Sequence, residues 1–88
     1  MRLLLQQRPL AGEAPRFVQL QLQQDLLGSW ELLRESGQTG GRSTLRRTLY
    51  HDHASAVAAL EKERDALLRK GFQLVFAKGD QVPNGMTA

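Results

Sequence analysis

Residues 16–24 read Arg-Phe-Val-Gln-Leu-Gln-Leu-Gln-Gln, so Val18, Leu20 and Leu22 alternate with Gln19, Gln21 and Gln23. A helix would throw Val18 and Leu20 to nearly opposite sides, whereas a strand places every second side chain on the same face. The segment is therefore a half-buried strand, greasy on one side and lined with amides on the other. A sheet built around it is wetted on one face. With 88 residues and no cysteine, the chain holds one small core, and a disulfide scaffold or a Cys-based zinc module is excluded.

The remaining punctuation divides the chain into short elements. Met1–Arg8 reads as a strand with Leu3 and Leu5 on one side, and Pro9–Pro15 as a loop. Asp25–Ser29, with Gly28, is a turn before a strand at Trp30–Ser36. Gly37-Gln38-Thr39-Gly40-Gly41 is a tight connection to a strand at Arg42–Tyr50, in which Leu45 and Leu49 are expected to face inward. Arg47 then falls on the same side as those leucines, a conflict that a bulge or an edge position resolves.

A helix is predicted over His53–Arg69, which contains neither Gly nor Pro. Asp52 is its N-cap, and Ala56, Val57, Leu60, Leu67 and Leu68 form its apolar stripe. Asp65 and Arg69 are spaced as an i,i+4 ion pair, and Gly71 is the left-handed stop. Phe72, Leu74 and Phe76 alternate in a last strand, expected to share one side. The domain is expected to end at residue 76, with a disordered tail over 77–88. Strands joined by short turns pair antiparallel. The expected fold is thus α+β: an antiparallel sheet of four to five strands with one long helix packed on the Val18/Leu20/Leu22 face.

The net charge of +3 is local. Residues 34–47 carry Arg34, Arg42, Arg46 and Arg47 against Glu35, and the rest of the chain is balanced. Guanidinium groups match phosphate bidentately, so this hairpin is either an anion-binding surface or a solvated strand face. Its bare glycine amides offer further donors. Trp30 is read as core or sheet packing in preference to a nucleobase platform.

Catalytic chemistry finds no support. His51 and His53 flank Asp52, but a metal site needs three or four ligands. No serine lies in a nucleophile elbow, and Glu61 and Asp65 read as solvating charges on the helix. No catalytic residue, metal or cofactor is assigned. No apolar run approaches the roughly 20 residues of a membrane span, and the Met1-Arg2-Leu3-Leu4-Leu5 start falls short of a signal peptide. A cytoplasmic chain is expected.

Three stretches together resemble the WGR domain: Arg16–Leu22, Gly28–Gly40, and Ala54…Ala58-Ala59-Leu60…Lys70-Gly71-Phe72. The resemblance covers about residues 1–74 and is greatest to small stand-alone bacterial members. Where the family carries Trp-Gly-Arg, this chain reads Ser36-Gly37-Gln38, sharing the glycine. The resemblance implies a sheet-plus-helix module that contacts DNA ends and neighbouring domains, and the lack of an assembled acid, base or nucleophile makes a non-enzymatic role the expectation. The residues expected to bind nucleic acid are Arg34, Arg42, Arg46 and Arg47, on its phosphates, and Gln38, which with the Gly40 and Gly41 amides would sit near a strand end. The alternative is a protein–protein interaction module using the hairpin or the sheet edge.

Overall fold

The computed structural model describes residues 1–7 and 12–79. Five strands and one helix follow in the order β1 (Arg2–Gln7), β2 (Arg16–Gln24), β3 (Trp30–Gln38), β4 (Ser43–Tyr50), α1 (His53–Arg69) and β5 (Phe72–Lys78). The strands form one antiparallel sheet in the spatial order β4-β3-β2-β1-β5. This is the expected α+β fold. The helix connects one edge of the sheet to the other, which brings β5 beside β1.

The alternation in β2 decides which face the helix covers. Val18, Leu20 and Leu22 are buried together with Leu3 and Leu5 of β1 and Leu32 of β3. From the helix, Ala56, Leu60 and Leu67 close this core. One helix cannot cover two faces, so among the described residues the side bearing Gln19, Gln21 and Gln23 stays open.

The helix boundaries follow from local chemistry. The Asp52 carboxylate accepts a hydrogen bond from the Ser55 N–H at 2.7 Å, filling one of the orphan donors of the first turn. At the other end Gly71 takes φ +93°, a conformation that costs a residue with a Cβ. The buried stripe differs from the expected one. Leu68 is 42% exposed, whereas Arg64 is only 8% exposed. The Arg64 stem continues the line from Ala56 and Leu60 toward Leu67, and its Nε donates to Asp65 Oδ1 at 2.8 Å. Asp65 thus pairs with its neighbour and not with Arg69.

Two further expectations are corrected by the sheet. Leu45 and Leu49 do not face the core: they are 63% and 60% exposed. The β3–β4 register is unbroken from Trp30↔Tyr50 to Gly37↔Ser43, so Leu45, Arg47 and Leu49 all point to the open face. The conflict around Arg47 is resolved by its edge strand, without a bulge. The bulge lies instead in β5, where the register against β1 shifts between Leu4 and Leu5. Phe72 and Leu74 pack against the core, as does Ala77, but Phe76 is turned to the other face opposite Leu4. An extra residue inverts the facing of everything beyond it. β5 continues past residue 76 to Lys78; of the expected tail, 80–88 lie outside the described residues, as do 8–11, including Arg8 of the expected first strand and part of the loop after it.

Gly37 is fixed by a close approach of backbone. A Cβ there would run into the Arg42 carbonyl oxygen and lie 3.0 Å from Ser43 Cα. Gly37→Ala is expected to destabilise the fold by about 1–3 kcal/mol, the usual cost of overpacking, measured by urea denaturation. The Asp52 cap carries a pH dependence. The Ser55 backbone hydrogen bond, then its side chain and the neighbouring histidines, hold the Asp52 carboxyl below its ordinary value. A carboxylate depressed in the folded state stabilises it at neutral pH, and that contribution disappears as pH falls through the depressed value. Asp52→Asn is expected to keep a capping oxygen and to flatten the acid limb of the stability curve.

Candidate functional site

The hairpin arginines do not form one surface. The β3–β4 register sets Arg34 directly opposite Arg46, on the helix-covered face. Like charges so placed repel. The helix resolves the conflict: Glu63 reaches Arg34 and Arg46 with one carboxylate oxygen each, both at 3.1 Å. Arg47 lies on the opposite side of the sheet, 3.4 Å from Glu31, which Gln23 also holds at 2.9 Å. Among the described residues, Arg42 alone of the four has no carboxylate within ion-pair distance.

Arg42 belongs to a different grouping, which the strand register assembles. The helix ends at Arg69 and leaves the last rows of its own sheet face uncovered. There an open groove of about 790 Å³ forms, floored by Val18, Leu67 and Phe72. Arg16, Arg34, Arg42 and Lys70 line it, with Gln7, Ser36 and Gln38 between them. Arg16 pairs across the sheet with Gln38, and Val18 with Ser36. Among the described residues no carboxylate lines the groove. Arg16, Arg42 and Lys70 make no ion pair among the described residues. The Gln7 side-chain amide donates to the Lys70 carbonyl at 3.2 Å, which satisfies one of the exposed carbonyls at the negative end of the helix.

Of the residues expected to bind nucleic acid, Arg34, Gln38 and Arg42 therefore meet in the groove, Arg46 lies outside it in the Glu63 bridge, and Arg47 faces away. The hairpin amides contribute less than expected, because Gly41 N–H donates to the Gln38 carbonyl and Thr39 N–H to that of Pro15, both at 2.9 Å. Sequence reading overlooked Arg16 and Lys70. Each is isolated among neutral residues or at a helix end, and only the pairing of β2 with β3 and the helix's return bring them beside Arg42.

Other constellations stay structural. Trp30 is half-buried against the core, its ring 4.5 Å from that of His53. Among the described residues no group of three or more His, Cys, Asp or Glu could hold a metal, and no helix is long and apolar enough to cross a membrane. No family model matches the chain, and neither curated proteins nor solved structures yield a match.

Glu63 is the joint between helix and hairpin, so its removal exposes the repulsion it bridges. Glu63→Gln is expected to lower stability by about 1 kcal/mol. The deficit should shrink in high salt, which screens Arg34 from Arg46; denaturation at two ionic strengths checks both.

Proposed function

We propose that this protein is a small non-enzymatic module that binds nucleic-acid phosphates in the groove beyond the helix C-terminus. The observation that carries the reading is a concave site that, among the described residues, has three cations without an ion pair and no carboxylate in its lining. Unpaired arginines in a groove suit phosphate oxygens, for which the guanidinium fork is shaped. The resemblance to the WGR domain supports the same direction. Ser36, Gly37 and Gln38, which stand where that family carries Trp-Gly-Arg, all line the groove. Ser36 and Gln38 supply hydrogen bonds there, and phosphate attraction falls to Arg16, Arg42 and Lys70, with Arg34 shared with Glu63.

Three contacts predict modest, sequence-independent affinity, about 10⁻⁴–10⁻⁶ M at physiological salt, with a slope of log K against log salt of about −2.7 on duplex DNA. Anisotropy titration of a labelled duplex at several salt concentrations measures both. Arg16→Gln and Arg42→Gln are each expected to weaken binding and to reduce the slope by about 0.9. Arg47→Ala, on the other face, is expected to leave both unchanged. Absence of binding below a millimolar, or loss of binding with Arg47 but not with Arg16 or Arg42, contradicts the proposal.

A protein-interaction role is the second reading, favoured by β4. This strand forms one edge of the sheet, has no bulge, and exposes every residue from Ser43 to Leu49. Such an edge accepts an added strand. A stoichiometric partner that survives nuclease treatment would favour that role.

A further inference from the structure

The open face carries its own unresolved charge conflict, distant from the groove. The β1–β5 register sets Arg2 directly opposite Lys78. On the helix side the equivalent clash, Arg34 against Arg46, is bridged by Glu63. On the open side, among the described residues, no carboxylate bridges it and neither Arg2 nor Lys78 makes an ion pair. The open-face carboxylates Glu31 and Glu35 both stand on β3, with β2 between them and this pair.

The Arg2 guanidinium lies instead over an aromatic ring, its central carbon 5.3 Å from the Phe76 centroid. Phe76 is on this face because of the β5 bulge, and it is 40% exposed. Leu4 stands opposite Phe76, and Gln19 is the next residue across from Leu4. Gln6 stands opposite Gln73 in the adjoining row. The side-chain amides of Gln6, Gln19 and Gln73 have no hydrogen-bond partner among the described residues.

We infer that this patch is a stacking surface for single-stranded nucleic acid. Two unbridged cations suit a polyanion. A guanidinium laid on an exposed ring presents flat π-surface, on which bases stack irrespective of sequence. Free amides suit the donor and acceptor edges of unpaired bases. A duplex offers phosphates but hides its bases, and an acidic peptide offers charge without planar heterocycles, so neither uses all three features. The inference rests on the nucleic-acid reading above, but it assigns different residues and a different form of the ligand.

Anisotropy titrations with a labelled oligothymidine and with a blunt duplex separate the two sites. Phe76→Leu keeps an apolar side chain but removes the ring. It is expected to weaken oligothymidine binding roughly tenfold and to leave duplex binding unchanged. Phe76→Tyr should restore the single-strand affinity, and Lys78→Gln should lower it with a reduced salt slope. Melting temperatures matching the parent protein establish that the variants are folded. Oligothymidine binding that is indifferent to both Phe76→Leu and Lys78→Gln overturns the inference, and leaves the groove intact if the duplex still responds to Arg16→Gln. Phe76-dependent oligothymidine binding without duplex binding supports it and rejects the groove. Absence of both overturns both. An acidic peptide that shifts the Phe76 ring resonances where oligothymidine does not also overturns it, and marks the face as a protein contact.

Discussion

One helix must serve a five-stranded sheet, and this constraint shapes the rest of the molecule. Ala56, Leu60 and Leu67 seal Leu3, Leu5, Val18, Leu20, Leu22 and Leu32 from water. That contact is the core, and burial of those side chains drives folding. Because the helix stops at Arg69, it cannot cover the far end of the face it packs on. The groove is the uncovered remainder, and among the described residues no element packs on the opposite side of the sheet. Both exposed regions are consequences of the same shortage of helix.

The charges follow from this geometry. Antiparallel pairing twice sets like charges opposite each other in this sheet, and the two cases are treated differently. Arg34 and Arg46 lie under the helix, within reach of Glu63, and become part of the joint that fastens helix to hairpin. Arg2 and Lys78 lie where no helix passes. Arg16, Arg42 and Lys70 collect just past the helix end, beyond the reach of Glu63 and Asp65. The sheet cations that α1 overlays, Arg34 and Arg46, are thus paired through Glu63, whereas Arg2 and Lys78 on the open face and Arg16 and Arg42 past the helix end make no ion pair among the described residues.

Much of the architecture was legible in the chain. The Gln/Leu alternation of β2 marks both the strand and its buried side, and Asp52 and Gly71 bracket the helix because each satisfies a terminal requirement of the backbone. The inward facing of Leu45 and Leu49 was misread because period-two spacing reveals that residues share a face, not which face. On β4 it is Arg46, Thr48 and Tyr50 that take the helix side, so Leu45 and Leu49 fall on the open face, where there is no core to enter. Phe76 was misplaced because a bulge leaves no mark in a run of seven strand-forming residues. The site was the least legible part. A cluster of arginines in sequence becomes two opposite faces in a strand, and the grouping of Arg16 with Arg42 and Lys70 depends on strand pairing and helix length.

The central claim is that the groove past the helix C-terminus receives phosphate. Chemical-shift mapping with a short duplex tests it most directly, using amide resonances and the arginine Nε–H signals. The account predicts perturbations concentrated at Arg16, Ser36–Gln38, Arg42 and Lys70, with the Arg47 side chain unmoved. Perturbations centred on Arg46 and Arg47, or none at saturating duplex, would contradict it.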